Sequence, residues 1–242
     1  MEASGGRLTR STRGWRLDLV DVEPTLNVLR SAVEAVASQG GGELQWWQSR
    51  PTPRTDALAS DLGLTTRRDL LQVKRPLPDS RYADPPLVTR PFVPGQDEDA
   101  WLEVNNRAFG WHPEQGGWDA AMLAAREGEP WFDPDGFLLY EEDGRLAGFC
   151  WTKVHDAAMG EIYVIAVDPD FSGRGLGRRL TVAGLDYLAG RGLTVGMLYV
   201  DASNLTARSL YDKLGFTLDH IDRAYSGDVQ AAPDTPTTAP IA

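Results

Sequence analysis

Gly173, Gly175 and Gly177, spaced by single residues, sit between an apolar run and a helical pattern, and this junction constrains the fold more than any other segment. The run before it, Glu161 to Val167 (EIYVIAV), is apolar after its first residue and rich in β-branched side chains, as a strand buried on both faces requires. Asp168-Pro169 stops that strand. Beyond the glycines, Leu180, Ala183, Gly184, Leu185 and Leu188 recur at three- and four-residue spacing, the period of a helix packed on a sheet. A strand, a turn lacking Cβ atoms and a helix N-terminus, in that order, let backbone N–H groups converge on an anion. A Walker loop is excluded because Arg178-Arg179 stand where Lys-Ser/Thr is required. A dinucleotide fingerprint is excluded because only Leu176 separates the second and third glycines. A glycine-rich turn without a ligand remains the alternative.

The segment Ser172-Gly173-Arg174-Gly175-Leu176-Gly177 resembles the acetyl-CoA signature of the GNAT acetyltransferases, with Ser172 where that family usually has Arg or Gln. The resemblance continues in Leu198 to Phe216, where Asn204, Ala207, Tyr211, Gly215 and Phe216 match the family's next helix. Four less generic stretches, VNNRAF (104–109), HPEQGGW (112–118), WFDPDG (131–136) and GFCWTKVH (148–155), are similar to the mycothiol synthase branch. That resemblance spans roughly residues 86–225. It implies an α/β fold with a twisted mixed sheet flanked by helices, acetyl-CoA as cosubstrate, and acetylation of the cysteinyl amine of cysteinyl-glucosaminyl-inositol. Another small-molecule or protein N-terminal amine is the alternative acceptor, and a non-catalytic acyl-CoA-binding protein is the alternative outside the enzymes.

Composition sets the outer limits. A chain of 242 residues, 42% hydrophobic with eight Trp, can bury a large core. Its net charge of −11 argues against a nucleic-acid partner, so an anionic ligand must be held by local groups such as Arg174, Arg178 and Arg179. The single Cys150 excludes an internal disulfide, suits a reducing cytosol, and lies in a strand-like run as a buried filler. No signal-peptide run and no stretch of about 18 apolar residues is present, so the expectation is a cytoplasmic protein, monomeric and without a membrane partner.

Residues 1–14 are rich in Gly, Ser, Thr and Arg and are expected to be disordered, as is the tail 226–242. Trp15 to Val22 alternates like a strand. Thr25 caps a helix to Ser38, the glycines 40–42 end it, Glu43 to Gln48 reads as a strand, Thr55 to Leu62 as a helix and Asp69 to Arg75 as a strand. This order repeats that of the second half. The expected organisation is therefore a partial N-terminal copy (15–75), a linker (76–92) and a complete C-terminal copy (93–225). The stretch directly after Glu23-Pro24, TLNVLRSAVEA (25–35), has no glycine and one arginine, so the first copy is read as a remnant without an anion cradle.

Glu161 opens an otherwise apolar strand, where a carboxylate beside buried surface is suited to general-base work; a solvated Glu at a strand end is the alternative. The resemblance makes Glu161 the base. Tyr211 lies on the stripe Ala207, Leu210, Tyr211, Leu214 and reads by itself as a core tyrosine. The resemblance makes it the general acid to the CoA thiolate. It also implies cofactor contacts from Ile165, Ala166 and Val167, from Ser172 to Arg178 (Ser172, Gly173, Arg174, Gly175, Leu176, Gly177, Arg178), and from Asn204, Leu205, Thr206, Ala207, Arg208 and Ser209. Glu114, Lys153, Glu161 and Tyr199 are the implied substrate contacts, with a solvated surface residue as the alternative for each of Glu114, Lys153 and Tyr199. His112, His155 and His220 lack metal-ligand spacing, so no metal is expected.

Overall fold

A computed structural model describes residues 2–3, 6–11, 14–19, 22–78, 87–110 and 115–233. The chain forms two compact units, Met1–Leu71 with Asp201–Asn204 and His220–Ala242, and Gln72–Val200 with Leu205–Asp219.

The first unit runs through β1 (Glu2–Ala3), β2 (Gly6–Ser11), β3 (Gly14–Asp18), α1 (Leu26–Ser38), β4 (Gly42–Ser49), α2 (Pro53–Asp61) and the start of β5 (Thr65–Pro76). Thr25 caps α1 by accepting from the Val28 N–H, as its sequence position predicts. Helix α2 starts two residues before the expected Thr55, because Thr52 and Thr55 form a reciprocal capping box around Pro53. The amphipathic face of α1 buries Leu29, Ala32 and Val36 against Leu17, Leu44 and Trp46. Residues Gly6–Ser11 correct the expectation of disorder. They pair antiparallel with β3, Leu8 opposite Leu17, and Leu8 is buried in the core, so one apolar side chain on the inner face outweighs a polar composition. The tail expectation is corrected in the same way. The last strand, β11 in chain order (Thr217–Val229), pairs antiparallel with β4 from Asp222↔Ser49 to Val229↔Gly42, while residues 234–242 lie outside the described residues.

The second unit contains the end of β5, β6 (Arg90–Pro91), α3 (Glu98–Ala108), α4 (Ala120–Glu127), β7 (Phe137–Glu142), β8 (Arg145–Val154), β9 (Met159–Val167), α5 (Leu176–Gly190), β10 (Val195–Asp201) and α6 (Leu205–Lys213). The expected linker is not loose where it is described: Leu77, Leu87 and Phe92 are buried, and Arg90–Pro91 pairs with β7. Strands β6 to β9 are antiparallel neighbours in order, and β9 pairs parallel with β10, which makes the sheet mixed.

Two faces of this sheet are covered. On one, Trp101 of α3 meets Trp118, Phe137, Phe149 and Trp151, and Phe137 stacks on Trp151 with centroids 4.3 Å apart. Such pairs add about 0.5–1.5 kcal/mol each beyond area burial, and Trp101→Ala would cost about 3–5 kcal/mol. On the other face, α5 lies directly on β8 and β9. A Cβ at Gly184 would collide with Cys150 Sγ and come within 2.6 Å of Ile162 Cδ1, so the close approach of helix and sheet depends on that glycine. Cys150 is fully buried and its thiol is pushed up by burial, which keeps it an inert filler.

Candidate active site

The parallel pairing of β9 with β10 covers Val195↔Met159, Gly196↔Gly160 and Met197↔Glu161 and then stops. Among the described residues, Ile162–Val167 form no further ladder with β10, so the two strands part at Glu161. On its other side, β9 keeps its register with β8 through Val167, apart from one break: Trp151 opposes Val164 and Thr152 opposes Ile162. Tyr163 is the extra residue of a bulge. As a result, Tyr163 and Val164 both turn toward the aromatic core, and the free edge of Ile165, Ala166 and Val167 is left with unpaired strand donors and acceptors.

At the point where the strands part, Glu161 is 6% exposed, which replaces the solvated-Glu alternative with a buried carboxylate. Its Oε2 lies 2.7 Å from His155 Nε2, a contact across the β8–β9 turn. Lys153 stands directly opposite Glu161 in the register. Its ammonium sits 4.5 Å from the Trp131 ring centroid and 5.5 Å from that of Tyr163, a cation–π clamp that shares its face with the carboxylate. Burial also raises the Tyr163 phenol.

The glycine turn is held from below. Asp168 is 1% exposed, accepts from the Asp170 N–H and pairs with Arg107 of α3, which also reaches Asp170, while Arg145 binds Asp170 from β8. Hydrogen bonds from Arg145 and Arg107 hold the Asp170 carboxyl below the usual carboxylate range. Gly173 (φ 78°) and Gly175 (φ 74°) adopt the left-handed region that glycine supplies without strain. A Cβ at either would meet open space, so what these glycines provide is the turn itself, and Ser172 to Gly175 are exposed. Helices α1, α2 and α4 are capped by Thr25, Thr52 and Asp119, whereas Gly175 gives α5 no side-chain cap. The first turn of α5 thus lacks a side-chain cap, follows an exposed loop and has the helix dipole behind it, a donor set that fits the pyrophosphate of acetyl-CoA. Leu176 and Gly177 are already within α5. Arg174, one of the arginines named as a local cationic group, donates from Nη1 to Glu142 at 2.7 Å. Arg178 is half-buried in the first turn of the helix.

Tyr211 of α6 is buried, with its ring 5.7 Å from Phe216, and burial pushes its phenol up, so it is protonated at neutral pH. Thr206, Ala207, Arg208 and Ser209 lie on α6 with Leu205, which is exposed, and Asn204 precedes it, its N–H closing a turn on the Asp201 carbonyl. The Tyr199 hydroxyl accepts from Gln72 Nε2 at 2.6 Å. Glu114 and His112 fall outside the described residues. His220 lies 3.3 Å from Asp222, and among the described residues no group of three or more His, Cys, Asp or Glu is placed to hold a metal. No helix among them is long and apolar enough to cross a membrane. The β9 bulge and the parting of the strands leave no signal in the sequence; for the His155–Glu161 contact, the spacing of the two residues around a short turn is the one signal.

The family model described as "Acetyltransferase (GNAT) family" matches residues 99–216. The mycothiol acetyltransferase of Acidimicrobium ferrooxidans is 50% identical over 203 residues, covering 81% of this chain and 66% of that protein. That of Thermomonospora curvata is 50% identical over 200 residues, covering 81% and 67%. The chain thus spans about two thirds of the length of the curated relatives it matches. Among solved structures, a GCN5-related N-acetyltransferase from Sphaerobacter thermophilus shares the fold with a TM-score of 0.66 at 24% identity, over 86% of this chain and 66% of that one. A tandem GNAT protein from the clavulanic acid biosynthesis pathway does so with a TM-score of 0.64 at 16% identity, over 90% and 76%.

Proposed function

Because the chain belongs to the mycothiol acetyltransferase branch of the acetyltransferase (GNAT) family, we propose that it moves the acetyl group of acetyl-CoA directly onto the cysteinyl amine of cysteinyl-glucosaminyl-inositol. The observation that carries this reading is the opening between β9 and β10, which starts at a buried carboxylate and leads along β9 to an uncapped helix N-terminus. A pantetheine arm would add to the free edge of Ile165, Ala166 and Val167 like a strand, with the N–H on the Val167 side polarising the thioester carbonyl. The pyrophosphate would lie over the N–H groups of Ser172 to Arg178. Contacts from Asn204 to Ser209 complete the cofactor side.

In this reading Glu161 takes one proton from the acceptor ammonium, and the neutral amine attacks the thioester carbonyl to form the C–N bond. The tetrahedral oxyanion then collapses, the C–S bond breaks, Tyr211 gives its phenolic proton to the departing thiolate, and the second proton on the attacking nitrogen is lost through water, which returns one to the Tyr211 phenolate. A buried phenol held in its neutral form suits that step. Lys153, Tyr199 and Glu114 are the proposed contacts to the sugar–inositol hydroxyls. Polar side chains left unpaired by a simpler amine would cost about 1–3 kcal/mol each, which favours the full substrate.

The first unit is read as a partial copy of the second. The order β3, α1, β4, α2, β5 parallels β9, α5, β10, α6, β11, and the likeness to a tandem GNAT protein supports this. With no glycine in residues 25–35, directly after Glu23-Pro24, one chain binds one acetyl-CoA. Cytoplasmic residence and a monomeric state belong to the same proposal. A non-catalytic acyl-CoA-binding protein would need neither Glu161 nor Tyr211. The test is a thiol-release assay over a panel of amines. The expected result is kcat/KM for cysteinyl-glucosaminyl-inositol at least about 10²-fold above that for free cysteine or cysteinyl peptides. Equal turnover of the simpler amines removes the acceptor assignment, and no release with any amine removes the transferase reading.

A further inference from the structure

Among the described residues, the one side chain bonded to the Glu161 carboxylate belongs to His155. Lys153, directly opposite in the register, directs its ammonium to the Trp131 and Tyr163 rings instead. His155 is also firmly mounted. Its N–H donates to the Met159 carbonyl at 3.0 Å, and the Asp156 carboxylate accepts from the Ala158 and Met159 N–H groups at 2.7 and 2.8 Å, so the turn between β8 and β9 is fastened at both ends. The imidazole side chain is 30% exposed against 8% for Glu161, which puts it at the rim of the carboxylate's enclosure.

We infer that His155 is a positioning residue that acts only through Glu161: its Nε2–H donates to Oε2, fixes the carboxylate rotamer, and leaves Oε1 as the oxygen that meets the acceptor amine. The inference rests on the reading of Glu161 as the base. An ionised carboxylate only accepts hydrogen bonds, so in this contact the imidazole is the donor and carries a proton on Nε2. A carboxylate deprived of this bond turns among rotamers, and only some of them present an oxygen to the amine. Effects of that kind appear in kcat, while cofactor binding, made on the far stretch of β9 and on α5, is untouched.

The experiment compares His155→Ala and His155→Gln, each alone and combined with Glu161→Gln, in steady-state kinetics with acetyl-CoA and the amine that the wild-type protein acetylates. His155→Ala is expected to lower kcat about 10- to 100-fold with the acetyl-CoA Kd changed less than about twofold. His155→Gln, whose amide nitrogen can reach the position of Nε2, restores kcat to within about fivefold of wild type. Added to Glu161→Gln, His155→Ala costs nothing further, because the side chain it serves is already disabled. A Gln variant as slow as the Ala variant, an unchanged Ala variant, or a further loss in the double variant would each overturn the inference. Imidazole ¹⁵N spectra give a reading independent of turnover. An Nε2–H tautomer whose signal moves in Glu161→Gln supports the contact, and an Nδ1–H tautomer refutes it even if no amine proves to be a substrate.

Discussion

Arg174 donates from Nη1 to Glu142 Oε1 at 2.7 Å, so any anion that settles at the N-terminus of α5 competes with a carboxylate for this guanidinium. With side-chain exposures of 53% and 30%, the pair is worth at most about 1 kcal/mol. Glu142→Gln should therefore tighten acetyl-CoA binding by about two- to fivefold at low salt, with the gain fading at high salt. Arg174→Glu should weaken binding by about tenfold or more, since it sets a negative charge beside the backbone donors. Calorimetry that finds wild-type affinity in both variants would remove the cofactor from this turn.

Glu161→Gln keeps the shape and most of the packing of an 8% exposed side chain while removing its basicity. The expected outcome is a loss of about 10²- to 10⁴-fold in kcat near neutral pH, with acetyl-CoA binding little changed because the glycine turn lies beyond Val167. Rapid turnover by this variant would mean another group takes the amine proton.

These two sites differ in how far the sequence exposes them. The glycine turn, the strand ahead of it and α5 are legible because each obeys a local rule: period two or near-continuous apolarity, positive-φ residues, then period 3.6. Glu161 is legible as a lone carboxylate in an apolar run. The bulge at Tyr163 is not, since register is a property of two strands, and β9 takes its register from β8. The parting of β9 and β10 after Met197↔Glu161 is invisible for the same reason. Strand β2 was hidden by composition, because Leu8 alone reports the inner face of a polar segment. Ser226 to Val229 fall in the tail expected to be disordered, because what makes them strand is pairing with β4, more than 170 positions earlier.

Tyr211→Phe removes one oxygen from a buried ring that packs on Phe216, so the fold should tolerate it, with stability within about 1 kcal/mol of wild type. The expected functional loss is about 10- to 100-fold in kcat, greatest for acyl donors whose leaving thiol is least acidic. Because burial raises the phenol, its protonated form persists above the ordinary tyrosine range. The wild-type rate should consequently show no decline from this group up to about pH 9. An alkaline limb below that pH that vanishes in the Phe variant would contradict the assignment.

Asp97 ties the start of α3 to β6: Arg90 donates to both its oxygens at 2.7 and 2.8 Å, and the Val93 N–H adds a third bond. Those bonds, the arginine's foremost, hold the carboxyl below the usual carboxylate range against the cost of burial. A folded-state pKa below the unfolded one means the stabilisation is complete above about pH 4 and is lost as pH falls through the folded value. Asp97→Asn should be clearly less stable than wild type in urea at pH 7, and the gap should shrink at pH 3 and below. A gap that is constant with pH would show that the charge of Asp97 contributes nothing.

Lys153 tests the acceptor side alone. Its ammonium is held over Trp131 and Tyr163, on the face of the sheet where Glu161 opens the gap between β9 and β10. Lys153→Met keeps the unbranched stem against the rings and deletes the charge and three donors. If the ammonium pairs with acceptor hydroxyls, KM for the sugar-bearing amine should rise about 5- to 50-fold, while KM for acetyl-CoA and turnover of free cysteine stay within about twofold. The contrast between acceptors is decisive, because a collapsed aromatic clamp would slow both amines together. An equal loss with free cysteine would assign Lys153 to holding Trp131 and Tyr163 in place rather than to recognising the acceptor.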